Sequence, residues 1–383
     1  MTQILHTSID SLASELPAIR QALQKGLSAP VSGLCGFDGF IDTFIRLESP
    51  ASMEAFGPKV TAAAGIATSF PVRHLGDKFG GNGPLFARAL HDLNAGSIEV
   101  TYIGAVGDKE ILPIFDEALS AKMKRVVTLA DPAHSDCLEF TDGKIMLGDL
   151  STCADITWER LLERMGEDDL NAALETADFI SAVNWGKLPH AGDIWLNLAK
   201  TLAALGREPK SVPFFMDLAE FEHRPEEDLT RLLDRLPEIT EQCHTLLSFN
   251  LKEAWQMGAH LGKDLSGQKE PEAVAELAAF LHENIRTDRI IIHPNSGAAC
   301  ASDTGTVYVP GPFCKEPLIS TGAGDNFGAG CLTAALLGLD DTATVLLGNC
   351  ASGYFVRSGK TPDLKGLDHF LELWSGNNLP ERL

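Results

Sequence analysis

Short apolar runs separated by helical stretches recur through most of the chain, and few folds accommodate that rhythm. Runs at 31–37, 100–105, 179–183, 212–216, 245–249 and 290–293 have strand length and composition. Between them, apolar residues at helical spacing predict helices over 83–94, 111–122, 158–165, 194–205, 229–236, 271–283 and 325–337. Strand, crossover helix, strand is the pattern of an α/β protein with a mainly parallel sheet.

Two regions break the rhythm. Residues 43–78 hold only weak strand-like pieces. The segment CLEFTDGKIMLGD places two alternating runs around Asp142-Gly143, a strong hairpin signal. Together, about 43–78 and 134–150 are expected to form a small β-rich lid; the plainer reading is two surface excursions of the main domain. At the N-terminus, Ile4, Leu5, Ile9, Leu12, Leu16, Ile19 and Leu23 fall at helical spacing. They predict an amphipathic helical extension over 1–30, ahead of a main domain at 31–383.

The formal charge of -22 repels nucleic acid and anionic lipid, so neither is an expected partner. No apolar stretch approaches the length of a membrane span or a secretory signal, and a cytoplasmic protein is expected. The 8 cysteines form no CxxC pair and the 11 histidines no HExxH, which speaks against a zinc site or a disulfide framework.

The most informative stretch is STGAGDNFGAGCLTAALLGL, 320–339. Its small residues Gly322, Ala323 and Gly324 precede a helix start, where backbone amides and the helix dipole favour an anion. Asp325 falls in the first helical turn, either as a dipole-compensating cap or as an acid beside bound phosphate. A dinucleotide fingerprint fails because position 327 is Phe, and Ser358-Gly359-Lys360-Thr361 lacks the glycine spacing of a Walker A loop. Asn250 and Glu253 have the spacing of a capping box. Asp38 and Asp42 at the end of the first long strand would project to one side of it.

TGAGDNFGAG resembles the C-terminal signature of the ribokinase-like (PfkB-type) carbohydrate kinases. GGNGPLFARAL (80–90), VTYIGAVGDKE (100–110), FFMDLAE (214–220), SFNLKEA (248–254) and NCASGYFVRSGKTP (349–362) are similar to further elements of that family, in family order. The resemblance covers roughly 31–370 and implies a three-layer α/β/α sandwich with a small β lid. It implies an ATP-dependent kinase that phosphorylates a hydroxyl, primary by expectation, of a sugar-like acceptor. A nucleoside kinase and a catalytically silent sugar sensor are the alternatives.

The resemblance assigns roles residue by residue. Asp325 becomes the catalytic base, and Gly322, Ala323 and Gly324 the anion hole. Asp42 in first place, then Asp38, with Gly80, Gly81 and Asn82, would contact the acceptor. Asn250, Glu253 and Asp217 would organise phosphate and Mg²⁺, itself held through water and phosphate; Asn349 and Gly353 would flank the nucleotide. Three departures stand out. Ile319 replaces an acid that helps bind a monovalent cation in activated members, so such a cation is not expected. Leu85 replaces a polar residue near the acceptor, and IIIHPNSGAA (290–299) departs from the usual strand-turn near the nucleotide. A monomer or homodimer is expected.

Overall fold

The computed structural model describes residues 3–383. Its strands are β1 Gln3–Leu5, β2 Val31–Phe37, β3 Phe40–Leu47, β4 Val72–Gly80, β5 Ile98–Gly104, β6 Arg125–Thr128, β7 Ala133–Glu139, β8 Lys144–Asp149, β9 Phe179–Ala182, β10 Pro213–Asp217, β11 His244–Asn250, β12 Arg289–His293, β13 Gly297–Ser302 and β14 Gly305–Pro310. Ten of them form one sheet in the order β1-β14-β13-β12-β11-β10-β9-β2-β5-β6. Every neighbouring pair in it is parallel except β12 with β13 and β13 with β14.

Side-chain alternation sorts the core onto the two faces of this sheet. Phe214, Met216, Leu247, Phe249, Ile290 and Ile292 join the cluster covered by helices Trp158–Met165, Ala191–Ala204, Glu226–Gln242 and Glu272–Asn284. Phe215, Leu246 and Ile291, one residue out of phase, join the cluster under helices Asn82–Leu93, Ala323–Leu336 and Asp341–Ser358. Strands buried on both faces explain why they read as unbroken apolar runs. Each fully buried Ile or Phe contributes about 1.5–3 kcal/mol. The outcome is the expected three-layer sandwich.

The remaining strands form a four-stranded sheet, β4-β3-β7-β8, with β3 and β7 parallel and both outer pairs antiparallel. The Asp142-Gly143 hairpin is present between β7 and β8, where the Phe140 amide donates to the Gly143 carbonyl. The segment 43–78 is not wholly β, however. Helix Met53–Ala62 lies within it, capped by Ser52, whose Oγ accepts from the Ala55 amide. None of its residues is buried, so it has no apolar stripe to betray it, and Gly57 and Pro58 lower its apparent propensity.

The N-terminal segment also departs from expectation. Gln3–Leu5 is a strand paired with β14, Ile9–Leu12 is a single tight turn, and only Leu16–Lys25 is an α-helix. Pro17 supplies the reason: it fits the first turn of a helix but not its interior, so no helix can run through it from Ile4. Arg20 ties this helix to the last one, Leu364–Ser375, through Asp368 at 2.6 Å. No helix among the described residues is long and apolar enough to cross a membrane.

Candidate active site

Parallel sheets of this kind gather ligands at the carboxyl ends of their strands. A cavity of about 620 Å³ lies there, between the main sheet and the lid sheet. Asp217 ends β10, Asn250 ends β11 and His293 ends β12. From the same side, the loop before helix Ala323–Leu336 and its first turn bring Thr321, Gly322, Gly324 and Asp325 to the wall, and the start of helix Asn82–Leu93 brings Gly81 and Asn82. The lid contributes Asp42, Ser135, Met146 and Gly148.

Asp325 is 8% exposed and sits in the first turn of its helix. Its Oδ1 accepts from the Asn82 side-chain amide at 3.2 Å. Burial, then the charges of Asp217 and Asp38, push its carboxyl well above the ordinary carboxylate range, and the Asn82 hydrogen bond opposes them. A carboxylate so raised is a stronger base than a solvated one, which suits proton abstraction. Gly322 has a φ of 92°, accessible to glycine without strain, and a Cβ there would press on Phe355 at 3.3 Å. Ala323 does not reach the wall; its amide donates to the Ser320 carbonyl at 3.1 Å, closing the turn. Of the three residues expected to form the anion hole, Gly322 and Gly324 line the cavity.

Asp42 lines the cavity, half-buried, with burial raising its carboxyl and Lys144, Ser135 and His134 drawing it down. Asp38 does not share its face. The chain bends from the main sheet into the lid between β2 and β3, turning Asp38 into the interior, where it is 0% exposed. Gly39 makes the bend feasible, since a Cβ there would meet the Ala105 carbonyl oxygen at 1.8 Å. Gly80 stands behind Asp42, where a Cβ would come within 2.6 Å of Asp42 Oδ2, and does not line the wall itself.

Asn250 and Glu253 form the reciprocal capping box that their spacing allows. Asn250 Oδ1 accepts from the Glu253 amide at 3.0 Å, and Glu253 Oε2 accepts from the Asn250 amide at 2.9 Å. Both residues also line the cavity, so the cap and a ligand-facing position coexist. Glu253 is pushed up to about 8 by burial and by Asp217, which burial itself raises. Among the described residues no group of three or more His, Cys, Asp or Glu could hold a metal directly. Asp217 and Glu253 instead suit a hydrated Mg²⁺, which keeps several waters and takes few protein carboxylates.

Asn349 and Gly353 lie outside the cavity. The Asn349 side-chain amide donates to the carbonyls of Val309 and Pro310, both at 3.2 Å, and Gly353 packs under Pro312 and Phe370. They brace the helix Asp341–Ser358 and do not face this cavity. Sequence reasoning missed Asn184, Lys187, Glu220 and His223, all on the wall. Position just after β9 or β10 was the available signal for them. His293 also lines the wall; burial lowers it to about 4, and it stacks on Phe327 at 4.5 Å.

The raised acids predict a pH dependence of stability. A carboxyl whose folded pKa exceeds its unfolded value binds more protons when folded, so its contribution is lost as pH rises toward the folded pKa. Glu253 contributes from its ordinary 4.5 to about 8, and Asp325, raised well above its own ordinary value, adds to the same slope. His293, lowered from 6.5 to about 4, has the opposite slope, but its unfolded form is only half protonated at pH 6.5 and less so above it, so the raised acids outweigh it there. The ligand-free protein should therefore lose stability between pH 6.5 and 8. Glu253→Gln, which keeps the capping geometry, should flatten the slope in urea unfolding; an unchanged slope would remove Glu253 as its source.

A family model described as prokaryotic ketohexokinase matches residues 15–374. A ketohexokinase of Haloferax volcanii is 24% identical over 349 residues, covering 88% of this chain and 90% of that protein. Among solved structures, an Arabidopsis thaliana ribokinase complexed with ribose and ATP has a TM-score of 0.64 at 17% identity, over 90% of this chain and 99% of that one. A putative ribokinase II from E. coli in complex with ATP and Mg²⁺ has a TM-score of 0.59 at 18% identity, over 90% of this chain and 99% of the other.

Proposed function

The chain belongs to the prokaryotic ketohexokinase family and is an ATP-dependent sugar kinase, and we propose that its acceptor is a ketohexose phosphorylated on a primary hydroxyl. The observation that carries this reading is Asp325, buried at a helix N-terminus, held by Asn82 and opening onto the same cavity as Asp42. Asp42 and Asn82 hold acceptor hydroxyls, for which a carboxylate and an amide are suited. Asp325 takes the proton from the attacking hydroxyl. As that oxygen bonds to the γ-phosphorus, the bond to the bridging oxygen breaks and ADP departs. The amides of Gly322 and Gly324, at the positive end of the helix dipole, face the charge that develops.

Mg²⁺, when bound, neutralises phosphate charge, and Asp217 and Glu253 would hold its waters. Lys144, on the lid strand β8, reaches Thr321 Oγ1 at 3.4 Å and lies over the Phe44 ring at 5.6 Å. It brings a cation from the lid to the phosphate loop, beside a cavity whose wall carries Asp42, Asp217, Glu220, Glu253 and Asp325 against one lysine, Lys187. Closure of the lid over the acceptor would exclude water from the transfer.

A panel of ketohexoses, aldopentoses, sugar acids and nucleosides, scored by ADP release, tests the acceptor. A ketohexose should give the highest kcat/KM, with the phosphate on a primary oxygen of the product. Preference for a nucleoside would overturn the proposal, and no turnover on any acceptor would favour a silent sensor.

A further inference from the structure

Asp38 is fully buried at the joint between the main sheet and the lid, yet it is surrounded by donors. Its Oδ2 accepts from the Asn82 amide at 2.9 Å and from the Asn184 side-chain amide at 2.6 Å; its Oδ1 accepts from the Gly83 amide at 2.6 Å. Tyr102 donates its hydroxyl to the Asp38 carbonyl. The helix Asn82–Leu93 has Gly81 at its N-cap and no side-chain cap of its own, so a residue 44 positions away supplies the capping carboxylate.

The surroundings are fitted to this carboxylate. A Cβ at Gly83 would stand 2.6 Å from Asp38 Oδ1 and 2.7 Å from the Tyr102 hydroxyl, and one at Gly81 would stand 3.0 Å from Asp38 Oδ2. Asn184 adopts a left-handed backbone, φ 65°, while donating to Asp38. Burial lifts the Asp38 carboxyl to about 6, and the donors from Asn184, Gly83 and Asn82 hold it down, leaving it ionised at neutral pH. In this conformation the carboxylate presents no exposed surface to the cavity. The residue it holds, Asn82, in turn donates to Asp325.

We propose that Asp38 is a positioning residue for phosphoryl transfer: it fixes the start of helix Asn82–Leu93 so that the Asn82 side-chain amide stays on the catalytic carboxylate. The inference rests on Asp325 being the base. The charged groups facing Asp325 are Asp217 and Asp38, with His293 nearby on Phe327; those facing Asp38 are Asp325 and the buried Tyr102 and Cys153, the last two un-ionised at neutral pH.

Asp38→Asn keeps the shape and removes the charge. It should lower kcat about 10–100-fold, the scale expected when a catalytic contact is misplaced, with a smaller change in acceptor KM. The acid limb of the kcat–pH profile should move to lower pH, because one charge raising Asp325 is gone. Adding Asn82→Ala to Asp38→Asn should cost little beyond Asn82→Ala alone. Gly83→Ala, which crowds the carboxylate but keeps its charge, serves if the first variant fails to fold, and should lower kcat by a similar factor. Wild-type kcat with an unmoved acid limb, wild-type kcat in Gly83→Ala, or a rise confined to acceptor KM would each overturn the inference. An inactive Asp325→Asn beside a fully active Asp38→Asn defeats this inference alone, whereas an active Asp325→Asn defeats the reading of the base as well.

Discussion

Asp325→Asn should fold, bind ATP and lose roughly 10²–10⁴-fold in turnover, the usual worth of a general base. The side chain is buried in a helix first turn, and Asn fills the same volume and caps almost as well. Stability should hold or rise, because replacing a carboxyl that burial and two neighbouring acids disfavour removes like-charge repulsion. Nucleotide affinity should persist, since the glycine amides and the rest of the wall are untouched. What disappears is the acceptor for the hydroxyl proton. The measurements are turnover on the identified sugar, a thermal melt and ATP binding by titration. A folded variant that binds ATP and turns over near the wild-type rate would exclude Asp325 as the base and return it to a capping role.

Much of the architecture was legible because strands covered on both faces leave unbroken apolar runs, as at Ile290, Ile291 and Ile292. The hairpin at Asp142-Gly143 was legible for a local reason, its turn residues. Helix Met53–Ala62 was not, because a helix that buries nothing carries no periodicity. Ile4 and Leu5 fit a helical stripe and a strand equally well; pairing with β14, more than 300 residues away, decides between them. At the site, the order of motifs pointed to Asp325, Gly322, Gly324, Asn82 and Asp217, all of which line the cavity. The difference between Asp38 and Asp42 was not legible, because alternation assumes one continuous strand. The chain leaves the main sheet at Phe37 and enters the lid at Phe40, so the two acids face different surroundings. Asn349 illustrates the converse: a polar residue in a family-like segment whose amide is spent on strand carbonyls.

Arg357→Met should cost on the order of 3–5 kcal/mol of stability, although the residue lies away from the cavity. The residue is 2% exposed and forms no ion pair among the described residues. Its guanidinium instead donates to four backbone carbonyls: Pro312 at 2.8 Å, Phe313 at 2.7 Å, Gly353 at 2.9 Å and Pro380 at 3.0 Å. These join the chain leaving β14, the helix Asp341–Ser358 and the C-terminal tail. Met keeps the apolar stem against Phe370 but carries no donor, so the carbonyls outside the helix lose their partner, each at about 1–3 kcal/mol where water cannot reach. Arg357→Lys should fall between, because one ammonium cannot span the fork of a guanidinium. An exposed pair such as Arg46 with Glu139 offers the contrast; removing it should cost under about 1 kcal/mol. The segment braced by Arg357 runs from Pro312 into the loop that ends at Gly322, so ATP KM should rise with the loss of stability. Urea unfolding and nucleotide titration of the Met and Lys variants measure both effects. A Met variant within 1 kcal/mol of the parent would mean that water or rearranged backbone satisfies those carbonyls and that the guanidinium is not the brace.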